Sequence, residues 1–212
     1  MGIPCRVHVP GAKKPLTAEL EDAKAFGAEI MEQWPGHNSV IIARARADAK
    51  AHSYTNIPFG MECMEAVNQT RQQVANIPPD VKRIVIPVGS GMSLAGVLWG
   101  LNDKRHPAHV LGIVVGANPA KRLNKFAPNG WHRRTTLMEA GIDYHKEAPE
   151  TVFEGINLDP IYEAKCIPFM EEGDLLWIVG IRRTAEKAPE SEGTVGTNNI
   201  IAVKNTKQHK DV

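Results

Sequence analysis

The sequence predicts an α/β fold, a three-layer sandwich in which a mostly parallel sheet lies between helices. Three observations predict it. Short β-branched runs alternate with helix-patterned segments along most of the chain, the order that parallel strands joined by crossover helices require. The segments Val81–Val88 and His109–Gly116 read as buried strands. The first of them runs through Gly89-Ser90-Gly91 straight into an apolar-faced helix that reaches Leu101 and has its first amides at Ser90 to Ser93, which makes a strand–turn–helix unit.

Each element follows from local chemistry. Arg6–Val9 reads as a short strand. Thr17 caps a helix carrying Leu20, Ala23 and Phe26 at helical spacing, and Gly27 stops it. Ala28–Gln33 is the next strand, and Asn38–His52 has helical composition. Asn56–Gly60 reads as a short strand and turn, and a helix follows from Met61 to Val74. After the two buried strands, Asp159–Met170 reads as a helix with Pro160 in its first turn, where proline is tolerated. Asp174–Ile181 is a third buried strand. From Arg182 to Asn199 Lys, Glu, Pro, Ser, Gly and Thr dominate, a loop or tail, and Ile200–Val203 is a candidate last edge strand. Three parts are expected: residues 1–56, residues 57–182 with the glycine turn, and a tail of residues 183–212.

Composition narrows the function classes. The 25 basic and 24 acidic residues leave a net charge of +1, so no global field draws the chain to nucleic acid or an anionic membrane. Cys5, Cys63 and Cys166 are far apart and outside any Cys-x-x-Cys or Cys/His cluster, which argues against a disulfide framework and a zinc site. No apolar run follows Met1 as a signal peptide would, and none is long enough to span a bilayer, so a cytoplasmic location is expected.

The glycine turn carries the chemistry. Gly89 and Gly91 can adopt backbone angles closed to other residues, and the first amides of the following helix have no partner within it. Those donors and the positive end of the helix dipole suit a phosphate dianion, with Ser90 and Ser93 adding hydroxyls. Met92 stands where a nucleotide-triphosphate loop needs lysine, and Leu94 where a dinucleotide fingerprint needs its third glycine. A single phosphate group is therefore the expected ligand feature. A tightly packed strand-to-helix connection with no ligand is the plain alternative.

Three blocks in order resemble the fold-type II pyridoxal-phosphate enzymes, the group of tryptophan synthase β-chain, threonine synthase and cysteine synthase. Within that group two of the blocks resemble the aminocyclopropane-carboxylate deaminase / D-cysteine desulfhydrase branch. Ile57-Pro-Phe-Gly60, followed by a helix and Gln73, resembles that branch's Ile-Pro-x-Gly-Gly segment. The glycine turn is similar to the family's cofactor-phosphate loop, and Leu158-Asp-Pro-Ile-Tyr-Glu-Ala-Lys165 resembles the branch's Leu-Asp-Pro-Val-Tyr motif. The resemblance covers residues 6–181. It implies that Gly89, Ser90, Gly91, Met92 and Ser93 hold pyridoxal 5′-phosphate and that Tyr162 faces cofactor or substrate; a tyrosine packed on the sheet from an amphipathic helix is the other reading of Tyr162. It also makes residues 1–56 a remnant of the family's smaller α/β domain.

The departures are as informative. The family's N-terminal segment with its Schiff-base lysine has no counterpart, so the resemblance implies a fold-type II chain truncated at its N-terminus. Lysine chemistry on the cofactor then needs a substitute. Lys13, in Gly11-Ala-Lys-Lys14, is the weak candidate; a solvated loop suits paired lysines better. Lys165 reads as a surface residue. Val179-Gly-Ile-Arg-Arg-Thr184 replaces the branch's His-Thr-Gly-Gly, and Arg182 could meet an anion or remain solvated. Met92 stands where the family has glycine, which narrows the cavity but leaves the amide donors. Trp131-His-Arg-Arg134 could clamp a carboxylate or phosphate or be a polar loop, and His37 could reach a ligand at the sheet's carboxyl edge or simply start a helix.

Two functions remain open at this point. One is a pyridoxal-phosphate enzyme of amino-acid metabolism, lyase- or deaminase-like, or half of a split enzyme completed by a complementary lysine-bearing chain. The other is a non-catalytic descendant that binds a phosphorylated small molecule or another protein. A homodimer is expected, because loss of the N-terminal portion would expose apolar surface.

Overall fold

The computed structural model describes residues 4–11, 17–34, 37–180 and 201–203. The chain divides into two compact units, residues 1–59 with 183–192 and residues 60–182 with 193–212.

In the first unit, β1 (Arg6–Pro10) pairs in parallel with β2 (Glu29–Gln33), with α1 (Ala18–Ala25) between them in sequence and α2 (Asn38–Ala51) after. Thr17 stands at the start of α1, but its backbone carbonyl, not its hydroxyl, receives the amides of Leu20 and Glu21. A polar network centred on Asp48 ties α2 to β1. Asp48 accepts from Arg6 at 3.0 Å and pairs with His8 at 3.1 Å, while Arg6 also reaches Glu29 at 2.7 Å.

A 3-10 turn, Phe59–Met61, leads into the second unit where a short strand and turn were expected over residues 56–60; the turn is present and the strand is not. Gly60 and Met61 both take positive φ, 69° and 56°, a left-handed pair that no strand accommodates. After α3 (Met64–Gln73) come β3 (Arg83–Val88), α4 (Met92–Asp103), β4 (His109–Val114), α5 (Ala120–Phe126) and β5 (Thr135–Glu139). A hairpin, β6 (Val152–Phe153) and β7 (Ile156–Asn157), turns through Glu154 and Gly155, both at positive φ as a tight two-residue connection demands. A 3-10 helix, Glu163–Phe169, leads to β8 (Leu175–Trp177), and β9 is Ile201–Val203.

The sheet runs β5-β4-β3-β8-β9, parallel throughout except for antiparallel β9. Side chains alternate between two cores. Ile84, Ile86, Val88, Val110, Leu175 and Trp177 face α3, α4 and α5, while Val85, Leu111, Ile113 and Leu176 face the segment carrying the hairpin and the 3-10 helix. Burial on both faces explains why these strands read as continuous apolar runs. At the amino ends of β3 and β8, Arg83 grips the buried carboxylate of Asp174 with two bonds, 2.8 and 2.6 Å.

Several expected elements are corrected. The helix expected over residues 159–170 is instead a capped turn followed by the 3-10 helix; Pro168 lies inside it, and a residue without an N–H cannot continue an α-helical ladder. The third buried strand is confined to Leu175–Trp177. Residues 131–134 hold a 3-10 turn, Trp131–Arg133, and β5 follows at once, an edge strand too polar to stand out in the sequence. The expected tail lies mostly outside the described residues, as do Arg182 and Thr184.

Candidate functional site

The site is built on the carboxyl ends of β3 and β4, where parallel α/β sheets hold their ligands. β3 ends at Val88, and Gly89 and Ser90 remain partly exposed before α4 begins. Gly91 opens the helix at φ 88°, and a Cβ there would stand 3.2 Å from Leu123 Cδ2 and 3.3 Å from Pro119 Cβ. Glycine is thus required by conformation and by space. The amide of Ala95 is bonded to the Gly91 carbonyl at 2.9 Å. The amides of Met92, Ser93 and Leu94 precede it in the first turn, where α-helical geometry supplies no carbonyl. The Met92 amide lies 3.5 Å from Ser90 Oγ.

Met92 does not narrow this mouth, contrary to the expectation from its sequence position. Its side chain is buried in the core with Leu94, Leu123 and Phe126, so only its backbone belongs to the turn. Ser93 stays partly exposed. The turn at Gly60 closes on the same place, since a Cβ on Gly60 would meet Ser90 Cβ at 3.0 Å.

Tyr162 reaches the turn from the other side. Asp159 fixes the backbone that carries it, its Oδ1 receiving the amides of Ile161 at 2.7 Å and Tyr162 at 3.1 Å. The phenol oxygen lies 3.5 Å from the Pro87 carbonyl and would be 3.0 Å from a Cβ on Gly89. Only glycine at position 89 leaves room for that ring. Burial pushes the Tyr162 phenol well above its ordinary pKa, so it keeps its proton at neutral pH and acts as a donor.

Four side chains that the sequence reading did not single out, or misplaced, complete the surroundings. Arg122, on α5, donates from Nε to the Ser90 carbonyl at 2.9 Å and from Nη2 to the Gly89 carbonyl at 3.4 Å, and its Nη1 lies 3.3 Å from Glu62 Oε1. Glu163 is buried beside Tyr162 and accepts the Gly180 amide at 3.0 Å; desolvation raises its pKa to about 7. Tyr144 lies against Gly116 beyond β4, its ring 3.7 Å from where a Cβ would be.

Lys165 is the largest correction. It is wholly buried, at 0% exposure, where a surface position was expected. Its ammonium donates to the carbonyls of Asp143 at 2.8 Å and Tyr144 at 3.1 Å, and burial lowers its pKa. The sequence signal was the company it keeps, since Ala164, Cys166 and Ile167 flank it without another charge.

Trp131 donates its indole N–H to Asn124 at 3.0 Å, and His37 is exposed at the start of α2. Lys13 lies outside the described residues. Among the described residues no group of three or more His, Cys, Asp and Glu side chains could hold a metal, and no helix is long and apolar enough to cross a membrane.

Residues 1–175 match the family model described as pyridoxal-phosphate dependent enzyme. No curated protein matches the chain. Among solved structures the chain is similar to one described as an ACC deaminase homologue, with a TM-score of 0.63 and 20% identity. The match covers 79% of this chain and 62% of that one, so the chain spans less than two thirds of that protein's length. The likeness is one of fold.

Proposed function

The chain belongs to the pyridoxal-phosphate dependent enzyme family, and from that premise we propose that residues 89–93 seat the cofactor's phosphate in an enzyme acting on a small amino acid. The observation that carries this reading is the turn itself. A phosphate has three oxygens to satisfy, and the turn offers first-turn amides, the Ser90 and Ser93 hydroxyls and the positive end of a twelve-residue helix. The residues fit the group. At position 89 the absence of a side chain lets the Tyr162 ring stand directly against the turn, its phenol oxygen 3.0 Å from where a Cβ would be.

Bound there, the cofactor would supply an electron sink for bonds at a substrate's α-carbon. The chain's own groups supply the rest. Gly89, Ser90, Gly91, Met92 and Ser93 bind, the protonated Tyr162 phenol donates a hydrogen bond at the turn, and Glu163 takes or releases a proton near neutrality. A lyase- or deaminase-like reaction is the class we assign, supported by the Leu158–Lys165 motif and the fold likeness. The lysine that anchors the cofactor is proposed to be Lys13 or one from a complementary chain.

The test is direct. Pyridoxal phosphate added to the purified protein should shift its absorbance, and borohydride should trap an adduct whose tryptic peptide names the lysine. No spectral change and no adduct would end the reading of an autonomous enzyme. Turnover assayed over a panel of small amino acids then identifies the substrate.

One observation favours a second reading, a protein that binds a phosphorylated small molecule without turnover. The Lys165 amine is held by two backbone carbonyls and is not available as an anchor. Stabilisation by phosphorylated ligands with no amino-acid consumed would support it. Association as a homodimer is proposed with either reading. Phe26 and Trp34 are 81% and 83% exposed, an unusual position for such large apolar groups, and a monomer by light scattering at micromolar concentration would exclude it.

A further inference from the structure

Resting on the reading that residues 89–93 seat a phosphate, we propose that Arg122 is the positioning residue that aims this seat, by holding the loop's carbonyls away from the anion. The argument starts from the peptide unit. In a trans peptide the C=O and the N–H point in opposite directions across one rigid plane. The plane that carries the Gly89 carbonyl also carries the Ser90 amide, and the plane with the Ser90 carbonyl carries the Gly91 amide. Arg122 collects both carbonyls on one guanidinium, Nε to Ser90 at 2.9 Å and Nη2 to Gly89 at 3.4 Å. Two amides are thereby turned to the opposite side, away from the arginine.

The loop needs such a tether because it is built of the residues least able to hold their own orientation. Gly89 and Gly91 flank Ser90, and glycine has the widest choice of backbone angles. A plane rotated by half a turn would present a carbonyl oxygen to a phosphate oxygen, a repulsive contact in place of a hydrogen bond. Arg122 removes that alternative by holding both carbonyls at once.

The arginine is itself placed by the loop's neighbours. Asn118 Oδ1 receives the Ala120 amide at 2.9 Å and starts α5, while Pro119 and Leu123 pack where a Gly91 side chain would be. Nη1 is taken by Glu62 at 3.3 Å, so each end of the fork is engaged. Lysine at position 122 would keep the charge and lose the planar fork that spans two carbonyls.

Pyridoxamine 5′-phosphate, which is fluorescent and carries no aldehyde, reads binding at the seat without bond formation, and pyridoxamine is its control without the phosphate. Wild-type protein should prefer the phosphorylated form. Arg122→Lys and Arg122→Gln should each lose about tenfold or more in affinity for it, as expected for one lost charge-assisted bond, with pyridoxamine unaffected. Undiminished phosphate preference in Arg122→Lys would overturn the clamp alone. Equal binding of both compounds by the wild type would overturn the phosphate seat and the clamp together. A second measurement needs no variant: titrating inorganic phosphate into 15N-labelled protein should move the Ser90 and Gly91 amide resonances. If these two stay fixed while amides of the α4 first turn move, the planes are not aimed as proposed.

Discussion

Glu163 holds its carboxyl out of solvent, with the Gly180 amide on one oxygen. Desolvation, assisted by the charge of Asp159, raises its pKa to about 7 from an ordinary 4.5. The folded chain therefore binds this proton more tightly than the unfolded chain, and stability from this group declines as pH climbs from the unfolded value through the folded one. The full cost, reached above about pH 7, is on the order of 3 kcal/mol. Glu163→Gln should remove that slope, so urea unfolding should find the variant more stable than wild type at pH 8 and the gap smaller at pH 5. A gap that does not change with pH would refute the assignment. The residue scale is also where the sequence was least legible. Gly89, Gly91 and Tyr162 declared themselves because glycines at a strand end and a tyrosine in a motif are local signals. Arg122, Lys165 and Glu163 did not, since a charged residue shows its burial only once carbonyls from distant segments have arrived around it.

Among the elements, α3 and α4 approach most closely at Gly96 and Gly100. A Cβ on Gly96 would stand 2.6 Å from the Val67 carbonyl oxygen, and one on Gly100 would stand 2.7 Å from that of Arg71. Both obstacles are backbone, so the helices would have to part. Gly96→Ala should cost roughly 1–3 kcal/mol despite alanine's better helix propensity, measured as a fall in the urea midpoint. A neutral or stabilising result would mean that the contact is looser than described. Bidentate pairing of Arg71 with Asp103, and the Arg71 guanidinium 5.1 Å from the Trp99 ring centre, holds the far end of the same pair. Strongly periodic elements such as α4, β3 and β4 could be read from sequence. The 3-10 helix over residues 163–169 and the edge strand β5 could not: one turns on a proline late in the segment, the other on a partner strand that supplies the order its composition lacks.

Across the molecule, apolar burial is distributed unevenly. The described residues of the first unit bury one large apolar side chain, Ile41, whereas both apolar clusters lie in the second. Burial of this kind sets local stability, so hydrogen exchange should be slowest in β3, β4 and α4 and far faster through β1, α1 and β2. Matching protection in both units would contradict that distribution. The α/β class and the parallel sheet were legible because strands buried on both faces cannot hide their composition; the division of stability was not, since it depends on how many neighbours each segment acquires. The thiols record the same gradient. Cys5 is exposed in the first unit, Cys63 is partly covered, and Cys166 is sealed in the second, where burial also raises its pKa. An alkylating reagent applied to the native protein would accordingly tag these sulfurs in sequence, so the rate at which each acquires its label becomes a clock for how often that part of the chain opens.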